Sequence, residues 1–216
     1  MSEDGELTQA VLAELHWEPN LTSAHIGVTA KNGVGTLTGH VHNYVEKNSA
    51  EAAVGRVKGV KAVAEELEVR LPFAHKPSDA EIAAAAIHRL SWNVSVPRDG
   101  VKVKVEKGWV TLTGQVDWRY QQDAATEDVG HLVGVIGVSD NVTIKPRVNA
   151  ANISDDISNA LHRSWFFGAK TVNVRAQDGN ITLSDTVHSW HDRQLAASIA
   201  WAASGATAVV NDIVVN

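Results

Sequence analysis

The chain has 216 residues, 44% of them hydrophobic, a formal charge of −6 and no cysteine. That composition excludes disulfides, thiol nucleophiles and thiolate metal sites, while the length admits one large domain or several small ones. Over 1–75, 76–148 and 149–216 the basic and acidic residues run 6 against 10, 9 against 9 and 4 against 6, so no part has the positive excess of a protein held on nucleic acid through phosphates.

One pattern is written three times: Gly33-Val34-Gly35-Thr36-Leu37-Thr38-Gly39, Gly108-Trp109-Val110-Thr111-Leu112-Thr113-Gly114 and Gly179-Asn180-Ile181-Thr182-Leu183-Ser184-Asp185, at intervals of 75 and 71 residues. A repeat of that length is a small domain used three times. Domains are expected over 1–71, 76–146 and 150–216. Units of this size bury a modest core and are marginal alone, so they should lean on one another. The acidic first residues lack the basic start and apolar run of a signal peptide, and no stretch is long enough to span a bilayer. A cytoplasmic product is expected, with a periplasmic one as the alternative if an export route lies outside this reading.

In the first unit Leu7, Val11 and Leu15 recur as one helical stripe, closed by Trp17 and left at Pro19. Alternation of Ile26, Val28 and Ala30 predicts a strand. Asn32-Gly33 is a hairpin turn, Gly35–Val41 the returning strand. A second helix is expected over about 44–57, with Gly59 as its cap, and 63–69 supplies a third strand. The middle unit repeats the plan: Ile82, Ala86 and Leu90 with Trp92, then Val101, Val103 and Val105, the Lys107-Gly108 turn, a helix ending at Gly134, and Val138, Val142 and Ile144. In the last unit Ile153, Ile157 and Leu161 lead to Trp165, the Asp178-Gly179 turn, a helix capped by Gly205 and a final strand with Val209, Ile213 and Val215. The order is αββαβ three times, an α+β chain of two-layer units, each a small three-stranded sheet covered by two helices. Similar units on short linkers also permit a ring with approximate threefold symmetry.

The three units resemble the BON domain. The pattern is carried by the turn glycine with its V-x-L-x-G strand, by Gly134-Val135 after the second helix, and by Val138-Ser139-Asp140-Asn141-Val142. The resemblance implies three tandem domains of αββαβ fold, no established catalysis, and contact with anionic phospholipid surfaces or envelope-associated proteins, commonly in osmotic or envelope stress. Departures from the pattern are Gly35 in place of a strand valine, Asp185 where the other copies have Gly39 and Gly114, and Gly205-Ala206 in place of glycine-valine. Helix 2 carries Gly55 and Gly130 in two copies and Trp201 in the third.

Among candidate sites, His40 with His42 and His188 with His191 are the closest histidine sets, but neither has a carboxylate or cysteine in a familiar metal spacing. No metal and no cofactor is expected. Ser184, Asp185 and His188 lack a nucleophile elbow, and Asp117, Asp123, Asp155 and Asp156 fall at helix starts, where carboxylates serve as caps. No enzyme activity is expected. The recurring Trp17, Trp92 and Trp165 read as core or inter-unit packing, alongside the repeat glycines Gly33, Gly39, Gly59, Gly108, Gly114, Gly134, Gly179 and Gly205. Trp109 does not recur; with Lys102, Lys104 and Lys107 it forms the expected membrane or partner surface. The function expected is binding or scaffolding at phospholipid or protein surfaces by a monomer or small homo-oligomer, with small-ion or small-ligand binding and a soluble interaction adaptor as alternatives.

Overall fold

In the computed structural model, which describes residues 3–72, 76–145, 152–164 and 172–216, the chain forms three copies of one αββαβ unit. The first contains α1 (Glu3–Trp17), β1 (Ile26–Lys31), β2 (Val34–Val41), α2 (Tyr44–Arg56) and β3 (Ala62–Val69). The second contains α3 (Asp79–Trp92), β4 (Val101–Glu106), β5 (Trp109–Val116), α4 (Arg119–Gly130) and β6 (Gly137–Ile144). The third contains α5 (Ile153–Arg163), β7 (Asn173–Gln177), β8 (Asn180–Val187), α6 (Trp190–Trp201) and β9 (Ala208–Val215). Each sheet is three-stranded with the hairpin's second strand in the centre, antiparallel to the strand before it and parallel to the strand after it. The crossover helix imposes that parallel return.

Local chemistry explains the units. Both residues of each hairpin turn take positive φ: 52° and 81° at Asn32-Gly33, 53° and 80° at Lys107-Gly108, 51° and 82° at Asp178-Gly179. This is the twist-matched two-residue turn that pins the register at Lys31 opposite Val34 and its two counterparts. The first helix then clamps the turn. Asp79 accepts from the backbone N–H groups of Lys107 at 2.7 Å and Gly108 at 2.8 Å, and Asp4, its counterpart 75 residues earlier, accepts from Asn32 at 2.9 Å. The corresponding residue in the third unit is Ala150, outside the described residues.

The second helices start on side-chain caps. Asn43 accepts from Glu46 N–H at 2.8 Å, Ser189 from Asp192 N–H at 3.0 Å, and Gln121 reaches back to the N–H groups of Asp117 and Trp118. Asp117 and Asp123, expected as caps, instead pair with Lys145 and Arg119. One sheet face is buried beneath the two helices. Its centre is Leu37, Leu112 and Leu183, each fully buried at the same register, and burial of such a side chain is worth about 1.5–3 kcal/mol.

The second helices also join the units. Tyr44, the first residue of α2, lies against Gly130 in the last turn of α4. Arg119, first in α4, holds its guanidinium 4.8 Å from the ring of Trp201, last in α6. Trp190, first in α6, lies against Gly55 in the last turn of α2. The three contacts involve equivalent positions (44, 119 and 190 on 55, 130 and 201) and run head to tail until they close. That is a ring of approximate threefold symmetry.

Candidate functional site

The tryptophans divide by what covers them. Trp17 and Trp92 recur in helical register, but they stand 83% and 76% exposed, so the expected packing is not made. The reason is angular: Val11 and Leu15, like Ala86 and Leu90, define the buried stripe, and a residue two positions beyond it points away from the sheet. Trp165 lies outside the described residues. The register Ile153, Ile157, Leu161 puts Arg163, not Trp165, at the position of Trp17 and Trp92.

A second apolar residue recurs beside the first. Leu12 and Ile87 are equivalent and both exposed, and Val94 is fully exposed beyond Trp92. The third unit has Ser158 and Arg163 at these positions. The charges around this surface are already paired: Arg56 bonds Glu14 at 3.0 Å and Glu18 at 2.8 Å, and Arg89 bonds Asp128 at 2.9 Å. Trp92 donates its indole N–H to the His88 ring at 3.1 Å. Trp17 and Trp92 each end the first helix of their unit, at the same repeat position.

Trp109 has a structural partner. It sits directly opposite Gly137 across the β5–β6 pair, where the other two units place Ala62 and Ala208. Its ring covers that glycine so closely that a Cβ there would lie 2.4 Å from it, and its N–H donates to Ser139 Oγ at 2.8 Å. An aromatic side chain laid over a cross-strand glycine repairs the gap the glycine leaves. The ring remains 45% exposed. Lys102 and Lys104 share the helix-free sheet face with it, while Lys107 lies in the turn; Lys104 bonds Glu106 at 2.8 Å. The sequence-predicted group is therefore assembled on one side of the middle unit, with part of its charge neutralised.

The histidines gather where the spacing alone did not place them. His40 and His42, at the end of β2, are joined by His25 from the short 3-10 turn before β1. The rings of His25 and His40 stack at 4.5 Å and 16°, and His42 meets His25 edge-on at 6.1 Å. Stacked rings do not converge their nitrogens on one point, and no group of three metal-ligating side chains occurs among the described residues. Partial removal from water, then the charges of Arg70, His25 and His42, lowers the His40 pKa, while Glu68 opposes the shift. A lowered folded-state pKa means stability that is full above the unfolded value of 6.5 and is lost as pH falls below it. Thermal melting between pH 7.5 and pH 5 should therefore fall less steeply for His40→Gln than for the unsubstituted chain.

A groove of about 800 Å³ lies between the middle and last units, with α4 on one side and α6 on the other. It contains Trp118, Arg119, Tyr120, Asp123, Arg193 and Trp201. Asp123 bonds Arg119 at 2.8 Å, yet its carboxyl is raised, first by burial and further by Asp140, against the pull of Arg119. The Arg193 guanidinium lies 4.8 Å from the Trp190 ring and bonds the Asn211 carbonyl at 2.6 Å. Sequence reading missed this groove because its walls come from different units.

No described helix is long and apolar enough to cross a membrane. A family model described as the BON domain matches residues 3–70, 78–146 and 149–216. Among characterised proteins, the chain is similar to osmotically-inducible protein Y of Escherichia coli (strain K12), with 27% identity over 143 residues, 62% of this chain and 71% of that one. Similar solved structures include CdsD, a structural protein of the type III secretion system of Chlamydia trachomatis, 17% identical over 98% of this chain and 92% of that chain with a TM-score of 0.27. The C-terminal domain of CdsD is 18% identical over 100% of both chains, again with a TM-score of 0.27.

Proposed function

Because this chain belongs to the BON domain family, we propose that it is a non-enzymatic binding or scaffolding protein that contacts phospholipid or protein surfaces through the first helices of its first two units. The observation that carries this reading is the pair of exposed tryptophans at one repeat position, each beside an exposed aliphatic residue. Exposed indole rings at one repeated position suit an apolar or interfacial surface, because the ring is amphipathic, with an apolar body and a polar N–H. Similarity to an osmotically-inducible protein supports a role in osmotic or envelope stress. Trp109, Lys102, Lys104 and Lys107 form a second, more electrostatic surface that would act on anionic lipid.

Vesicle sedimentation separates the two surfaces. The full chain should co-sediment with phosphatidylglycerol-containing vesicles almost equally at low and high salt, since the charges near Trp17 and Trp92 are paired. Trp17→Ala with Trp92→Ala should reduce the bound fraction at least about tenfold, the scale expected for losing two partly buried indoles. Strong salt dependence, with loss on Trp109→Ala and neutralisation of the lysines, would move the contact to the open sheet face. Absence of vesicle binding at either salt would leave a protein surface as the target, to be sought by cross-linking from position 92.

A further inference from the structure

Two of the three seams in the ring are closed in the same way. A ring from the first residue of one helix lies on a glycine near the end of the next: Tyr44 on Gly130, Trp190 on Gly55. The seam between the middle and last units reverses the chemistry. Its leading residue is Arg119 and its receiving residue is Trp201. That indole lines the groove of about 800 Å³ between α4 and α6. The volume is in the range of sites that enclose small organic ligands.

The lining selects among ligand classes. Trp118, Tyr120 and Trp201 provide three aromatic rings, and Ala197 on α6 leaves space next to them. The lining holds two guanidinium groups, Arg119 and Arg193, and one carboxylate, Asp123, which pairs with Arg119. A cationic ligand would meet both arginines, and the face of Trp201 that would attract it already carries Arg119. A neutral sugar would find stacking surfaces but little use for two guanidinium groups, which match carboxylate and phosphate oxygens in planar, paired hydrogen bonds. We infer that this groove binds a small planar aromatic anion, its ring system against Trp118 and Tyr120 and its carboxylate, phosphate or sulfonate toward Arg193. The site goes beyond the surface-binding role and does not depend on it.

The test is a fluorescence titration of the full chain with 1-anilinonaphthalene-8-sulfonate, with stoichiometry from equilibrium dialysis. One saturable site is expected on the folded protein. Ser198→Trp, which fills the groove from an exposed position on α6, should weaken binding at least tenfold with melting temperature unchanged. Arg193→Gln should weaken it comparably, and Trp17→Ala with Trp92→Ala should leave it intact. Displacement by 2-naphthoate but not by 2-naphthalenemethanol would show that the anion is read. Displacement by phenyl phosphate in place of 2-naphthoate would assign the phosphate source. Three results would overturn the inference: no saturable site, binding unchanged in Ser198→Trp, or equal displacement by the neutral alcohol. Loss of probe binding only on substitution of Trp17 and Trp92 would overturn it as well.

Discussion

Gly114→Ala is expected to destabilise the middle unit by about 3–5 kcal/mol, combining the left-handed backbone penalty with a steric clash that only backbone movement can relieve. Gly114 sits in the central strand at φ 133°, and a Cβ there would lie 2.1 Å from the carbonyl oxygen of Gly100. Gly39 is the same position in the first unit, at φ 113° and 2.1 Å from the His25 carbonyl oxygen. The third unit departs from the pattern with Asp185 at φ 125°, a conformation L-residues rarely adopt, its side chain bonding the N–H of Thr186 at 3.0 Å. Asp185→Gly should therefore stabilise that unit by about 1 kcal/mol. Urea unfolding of the two variants checks both signs. A neutral Gly114→Ala would show that the strand can shift without loss.

Trp190→Ala is expected to cost about 2–4 kcal/mol and to open the ring. The indole lies on Gly55 from another unit and under the guanidinium of Arg193, so its loss removes a seam and a stacked cation together. The solution scattering radius should rise, and the last unit should melt separately from the other two. A paired substitution tests the same seam from the other side. Alanine is favoured over glycine in a helix by about 1 kcal/mol. At Gly130 an added Cβ would meet Tyr44 at 3.4 Å, an ordinary contact, so Gly130→Ala should stabilise. At Gly55 it would meet Trp190 at 2.8 Å, so Gly55→Ala should lose that gain or turn destabilising. Equal stabilisation at both positions would argue that the closed ring does not persist in solution.

Much of the candidate surface was legible at the level of residue choice but not of exposure. Trp17 and Trp92 are visible as repeat positions, but recurrence alone does not distinguish a packed residue from an exposed one; a residue two positions past the buried stripe faces out, and the stripe Val11, Leu15 contains that signal. Trp109 stood out for the opposite reason, as the odd residue in its repeat. Its explanation is Gly137, 28 residues away in sequence and directly across the strand pair. The histidine cluster was half legible, because His25 joins His40 and His42 only when the hairpin brings the start of β1 beside the end of β2.

What the sequence by itself determined is the repeating unit. Turn glycines, alternating strands, helical stripes and cap residues are local, and all three copies agree on them. The tertiary structure alone decided which faces meet. The three seams pair residue 44 with 130, 119 with 201 and 190 with 55. Nothing in the local pattern specifies such pairings, since helix ends carry the same propensities whether they meet water or another unit. Closure of the ring lays Tyr44 and Trp190 against glycines, leaves a groove beside Trp201 and leaves Trp17 and Trp92 exposed. The repeat specifies the unit; contacts between distant helix ends specify the surfaces available for binding.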